Sequence, residues 1–303
     1  MVPSGWELLD LACKLLTYLG AASLSGSIFC FWLFKNESRQ ISHEILTYLA
    51  AGVFLGFQGA LLRFFVQVGM VVDNGLVGMF DWGMAKIYFD SPVGDTTFFQ
   101  LIGFVLAFVS GIVARKKIEM GTSHSTHNSL QFFNFGSLIA FLLLILSFRF
   151  SGHISVLSTI SKLAIVLHYS AFSAWIGSLY PLCLLSFSKD ISFIRNRVKA
   201  FGDWAVFMVA VLIIAGGFML LDLFGSIDEI FSTDYGMVVL VKLTLVIAIL
   251  GIAAINRVRL TPNIVSQKGV RQFRNSVTIE IFVALLILIV TTYLSTVVGP
   301  PEH

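Results

Sequence analysis

The stretch VLHYSAFSAWIGSLYPL, Val166–Leu182, is apolar enough to cross a membrane, yet it carries His168. Histidine in hydrocarbon is costly, and intramembrane ionisable residues are usually kept for a task. The rest of the chain has the same character. Of its 303 residues, 57% are hydrophobic and 12% charged, with a mean hydropathy of +0.89. A soluble domain needs far more charge on its surface, so the composition points to an all-α integral membrane protein.

A bilayer core asks for about 20 apolar residues per helix. Eight segments meet that length: roughly 10–34, 44–66, 97–114, 131–148, 160–186, 200–223, 237–256 and 276–298. The loops between them sort by charge. Lys35 and Arg39 follow the first segment, Arg115, Lys116 and Lys117 the third. Lys189, Arg195, Arg197 and Lys199 follow the fifth, and Arg257, Arg259, Lys268, Arg271 and Arg274 the seventh. The alternate loops are acidic, with Asp73, Asp81, Asp90 and Asp95 in one and Asp228, Glu229 and Asp234 in another. By the positive-inside rule the basic loops face the cytoplasm, which puts both termini on the outer side. The net charge of +3 therefore reads as topology. The N-terminus carries Glu7 and Asp10 and no basic region, so the first segment is expected to stay as a membrane helix.

The two halves resemble one another. LLTYLGAASLSGS (Leu15–Ser27) lies over VLHYSAFSAWIGS (Val166–Ser178), pairing Gly26 with Gly177 and Thr17 with His168. FQGALLRFF lies over GGFMLLDLF, pairing Arg63 with Asp222. SPVG and TDYG pair Gly94 with Gly236 and Gln100 with Lys242, and in both cases the first arginine follows the glycine by 21 residues. Four spans per half give a parallel repeat, residues 1–150 and 151–303, about an axis along the membrane normal. Thr17 opposite His168 marks the histidine as a feature of one half only.

At 1.5 Å per residue from Thr159, His168 lies about 14 Å deep, near mid-bilayer. Its helical side holds Ala164, Ala171 and Trp175, while Ser170, Ala174 and Gly177 form a small-residue stripe nearly opposite. A neutral histidine bonded to a neighbouring helix is one reading; a ligand for copper or haem, or a proton relay, is the other. His153 in FRFSGHISVL sits past the fourth segment. His124 and His127 form an HxxH pair in a polar loop, and His43 and His303 look like segment-end residues. Cys13, Cys30 and Cys183 lie in apolar stretches without a CxxC, so neither a disulfide framework nor a zinc knuckle is expected. Met208 and Met219 are thioethers inside spans, which suit Cu(I) but also plain packing. Lys14, Arg63, Lys162 and Lys242 sit near the outer ends of spans, with Asp10 and Asp222 at similar depth. No nucleophile–base pair, hydrolase motif, nucleotide loop or nucleic-acid surface is present, so no enzyme is expected.

TDYGMVVLVKLTLVIAILGIAAINRVRLTP (Thr233–Pro262) resembles a pattern of the bacterial copper resistance D family: T-x-Y-G, an apolar run with a lysine, then A-x-N-R-x-x-L-x-P. FRNSVTIEIFVALLILIVTTYLSTVVGPP (Phe273–Pro301) resembles that family's closing helix. LHYSAFSAWIGSLYPL resembles its L-H-x-x-A-x-x-x-W-x-G-x-L-x-P helix, and SGH at 151–153 its G-H-A element. The resemblance is specific from Gly152 to Pro301, and most so over 198–301. It implies an inner-membrane protein of about eight helices that handles copper, with a small periplasmic copper-binding partner. His168 and His153 are then the expected metal contacts, Trp175 and Gly177 shape the helix, and Lys242, Asp222 and Arg63 are supporting residues. Relatives with further histidines in the first helix and just before the fifth-helix histidine differ from this chain, which reads CKLLTYLG and KLAIVLH there. A b-type haem redox protein and an accessory subunit for copper delivery are the alternative functions.

Overall fold

A computed structural model describes residues 3–34, 39–120, 123–147, 159–224 and 226–299, with 123–132, 134 and 227 described by backbone alone. Among the described residues the fold is entirely helical. In chain order the helices are α1 (Gly5–Leu33), α2 (Arg39–Val72), α3 (Trp82–Phe89), α4 (Pro92–Met120), α5 (Ser123–Ser147), α6 (Thr159–Leu185), α7 (Ile191–Leu223), α8 (Ile227–Ser232), α9 (Asp234–Ile255) and α10 (Gln267–Tyr293). A 3₁₀ turn, Gly75–Phe80, precedes α3, and wide π-turns extend α9 over Asn256–Leu260 and α10 over Leu294–Val298.

Seven of these helices are long and apolar enough to cross a membrane: α1, α2, α4, α6, α7, α9 with its π-turn, and α10 with its own. The fourth apolar segment falls on α5. That helix begins with the polar run SHSTHNSLQ, and its apolar described part is Phe135–Ser147.

Two compact units are present, Met1–Leu24 with Leu46–Val166, and Ser25–Ile45 with Leu167–His303. The long helices α1 and α2 thus contribute to both. In the first unit, α1 and α2 run antiparallel with glycine at the contact: Gly20 against Gly56, Gly52 against Ser23, and Gly59 against the Cys13 carbonyl. Phe104 of α4, fully buried, closes on Gly20 and Gly56. Small residues likewise let α4 and α5 lie side by side, with Gly103 on the Ala140 carbonyl and Leu144, and Gly136 on Ser110. Apolar association has little driving force in lipid, so helices there hold together through close approach of this kind and interhelical hydrogen bonds. Thr96 donates to the Ser147 carbonyl (3.3 Å) and Gln100 to the Ser147 hydroxyl (3.3 Å).

In the second unit, Gly26 of α1 lies directly on the backbone of Gly177 of α6, and the Cys30 thiol points at the Ser178 carbonyl (4.0 Å). Around this crossing Trp175, Leu179, Leu182 and Leu185 of α6 join Ile194, Val198 and Met208 of α7 and Val277, Ala284 and Ile287 of α10 in one apolar core. Asp190 caps α7, accepting from Phe193 N–H (3.0 Å) and the Ser192 hydroxyl (2.7 Å), and these bonds hold its carboxyl below the usual carboxylate range.

A short helix precedes a long one in both units, α3 before α4 and α8 before α9. In each case a glycine in the first turn of the long helix makes room for the backbone of the short one: Gly94 for Phe89, Gly236 for Ile230. Gly26→Val should overpack its crossing and cost about 1–3 kcal/mol. Gly217→Ala, where a Cβ meets nothing within 4 Å, should be neutral or gain up to about 1 kcal/mol in helix propensity. Thermal unfolding in detergent compares them, and equal melting temperatures would mean that the Gly26 contact is not made.

Candidate functional site

His168 sits nine residues into α6, half-buried. Its Nδ1 lies 3.2 Å from the backbone carbonyl oxygen of Leu212 on α7. A carbonyl can only accept, so the contact requires a proton on Nδ1, and in the neutral ring Nε2 then carries the lone pair. A second partner that fixes tautomer and ring orientation is the usual arrangement for a ligating imidazole. The ring reaches Leu212 because Gly216, one turn further along α7, carries no side chain: a Cβ there would stand 3.2 Å from the imidazole Cε1. Met208 and Met219 fall on the same stripe of α7, at i and i+11 with Leu212 at i+4, so thioethers flank this stretch by helical spacing.

Trp175, seven residues beyond His168 and only 4% exposed, packs into the core of the same unit. Lys242 of α9 is half-buried and within electrostatic range of the imidazole. Asp222, by contrast, is exposed in the last turn of α7. His153 and His303 lie outside the described residues, and His124 and His127 fall on the backbone-only part of α5. Among the described residues no three His, Cys, Asp or Glu side chains converge as a metal cluster.

Arg63 belongs to the first unit, where its Nε donates to Asp10 Oδ1 (3.0 Å) and Gln67 Nε2 reaches the same oxygen (3.4 Å). Asp10 is 5% exposed. Lys14, one turn further along α1, shares the field of that pair. Two cations around one buried carboxylate form a network that breaks badly when the anion is removed.

Reading the chain alone passed over one buried polar pair. Glu280 of α10 is 4% exposed and faces Asn256, 6% exposed, at the start of the π-turn after α9. The signal was available: a carboxylate inside the 276–298 apolar segment is an intramembrane ionisable residue. Leu212 gave no such signal, because its contribution is a backbone carbonyl.

The same turn explains a sequence pattern. The Asn256 carbonyl accepts both the Thr261 N–H and the Thr261 hydroxyl (2.8 Å each). Arg257 reaches back to α7, donating to the Gly202 carbonyl and, at 3.0 Å, to Asp203. Pro262 follows where the helix has to stop.

Comparison with known proteins bears out the resemblance read from the chain. Residues 195–294 match the family described as copper resistance protein D. Over 260 residues the chain is 28% identical to the copper transport protein CutJ of Bacillus subtilis (strain 168), covering 81% of this chain and 45% of that protein. The chain therefore spans less than half the length of that curated relative. No solved structure matches.

Asp10→Ala should cost about 3 kcal/mol by leaving Arg63 without its buried anion. Adding Arg63→Met should recover most of that loss in chemical unfolding of the detergent-solubilised protein. Additive losses in the double variant would mean that the pair is not coupled.

Proposed function

We propose that this chain, whose residues 195–294 are of the copper resistance protein D family, moves copper across the bacterial inner membrane with His168 as a metal contact. The carrying observation is the His168 imidazole, oriented through Nδ1–H by the Leu212 carbonyl, which leaves Nε2 to meet a metal within an apolar span. Imidazole and thioether suit Cu(I), so Met208 and Met219 are the companions on α7 that this reading favours. His153 is the second station, on the outer side. The matched relative is named for copper transport, which agrees with this reading. Lys242 would repel a cation held at His168 and so favour its onward release. Trp175 and Gly177 shape α6 around the histidine, and a small periplasmic copper-binding protein delivers the metal.

The architecture proposed is eight spans in two parallel repeats, with both termini periplasmic. Three observations support the repeat. Long, long, short, long, long is the helix order in α1–α5 and again in α6–α10. Gly94 and Gly236, paired by sequence, play the same part beside α3 and α8. Gly26 and Gly177, also paired, touch each other, as counterpart residues do where a two-fold axis passes between them. On this plan Arg63 and Asp222 hold equivalent outer positions, and α5 crosses with its polar start at the cytoplasmic face.

Copper bound by the purified protein, measured by competition with a Cu(I) chelator, should fall sharply in His168→Gln and survive in part in His168→Met. Cellular copper uptake should follow the same order at equal protein level. Uptake unchanged in both His168→Gln and His153→Ala would remove these residues from the path. Reporter fusions after Ser188 and Gln267 should read cytoplasmic, and fusions near Asp90, Asp228 and the C-terminus periplasmic. A cytoplasmic C-terminus would rule out the eight-span plan.

A further inference from the structure

The Glu280–Asn256 pair lies in a costly setting. A carboxyl group buried in an apolar span is stabilised only by a partner for its lone pairs or by neutralisation. Asn256 is the group that faces it. The amide nitrogen and oxygen of Asn256 are themselves buried with no hydrogen-bond partner in the described structure. The two side chains meet at the first residue of a π-turn, a feature frequently found at functional sites.

Two of the charged groups at this end of the helices are engaged elsewhere. Arg257 bonds Gly202 and Asp203 of α7, and Arg274 of α10 lies over the Phe187 ring at 4.3 Å. Lys242, on α9, is fourteen residues before Asn256, about 21 Å along the helix. Lys268 and Arg271 lie on α10 itself, two to three turns before Glu280. On the side of the basic loops a cavity of about 340 Å³ opens, lined by Arg195, Lys199, Asp203, Arg257, Thr261 and Pro262. It is polar and large enough for water. It reaches the turn that holds Asn256, because Thr261 both lines it and bonds the Asn256 carbonyl.

We propose that Glu280, set against Asn256, is a proton-binding site of the membrane interior, filled through this cavity and emptied as the metal moves. A hydronium ion in the cavity passes a proton to a carboxylate oxygen and is left as water, and the resulting neutral acid donates its O–H to Asn256 Oδ1. Loss of the same proton restores the carboxylate, which accepts from Asn256 Nδ2–H. An amide carries both a donor and an acceptor, so one asparagine serves both states. A metal fits poorly: Cu(I) favours nitrogen and sulfur, and Ca²⁺ or Mg²⁺ needs about six or more oxygens where this pair offers three. The link to metal movement rests on the copper-transport reading; the proton site does not.

Two measurements separate the two claims. Infrared difference spectra of the detergent-solubilised protein between acid and alkaline buffer should show a protonated-carboxyl band that is absent in Glu280→Gln and displaced in both Glu280→Asp and Asn256→Leu. Liposomes of phosphatidylcholine and phosphatidylglycerol holding the protein and an internal pH dye, given Cu(I), should show proton movement with copper entry, reduced at least tenfold in Glu280→Gln. A band that persists in Glu280→Gln, or is unmoved in the aspartate and leucine variants, overturns the proton site even if one variant fails to fold. Copper and proton movement equal to wild type in Glu280→Gln overturns the coupling. A wild type that shows the band but moves no copper leaves the proton site standing and removes the transport reading.

Discussion

Helices surrounded by hydrocarbon gain little by burying apolar side chains against one another, since lipid offers the same surroundings. What remains is dispersion between closely fitted surfaces, plus the few polar contacts that hydrocarbon makes costly to leave unmade. The glycine rows follow from that constraint. Gly52, Gly56 and Gly59 bring α2 onto α1, Gly103 and Gly136 bring α4 and α5 together, and Gly26 sets α1 on α6. The His168 ring uses the same device, since it enters α7 where Gly216 leaves space and finds a backbone carbonyl within reach.

The polar residues divide by the kind of partner they find. Asp10 gathers Arg63 and Gln67 into a charged network. Gln100 and Thr96 meet Ser147 as neutral hydrogen-bonding groups. His168 bonds backbone rather than side chain, which fixes its ring without neutralising its second nitrogen. These are three ways of carrying polarity into an apolar bundle, and only the last leaves a strong ligand atom unspent.

Much of this was legible in the chain because the controlling variables are hydropathy and charge. Apolar runs of membrane length located the helices, and the glycine pairings anticipated positions such as Gly94 and Gly236, where the fold needs room for a neighbouring backbone. The family pattern around Asn256, Arg257 and Pro262 was visible as letters, but its purpose was not, because a π-turn depends on hydrogen-bond register rather than composition. The fourth apolar run, 131–148, falls on α5, a helix that begins eight residues earlier in a polar run that hydropathy does not mark. The histidine was found by its cost in hydrocarbon. Its carbonyl partner was invisible, as every residue carries one, and Glu280 was passed over although the same cost applied to it.

The contact between Gly26 and Gly177 has a mechanical side. With no side chain on either helix there is no rotamer to adjust, so the two backbones bear on each other at a fixed separation. Such a contact resists being pushed together more than it resists turning, in the manner of a fulcrum. His168 stands nine residues along α6 from it, a lever arm of about 14 Å at 1.5 Å per residue. A tilt of α6 by about 10° about that point would carry the imidazole some 2 Å sideways, about the length of a metal–nitrogen bond. The small residue that lets the helices meet is thus also the place from which the smallest rotation does the most at the histidine.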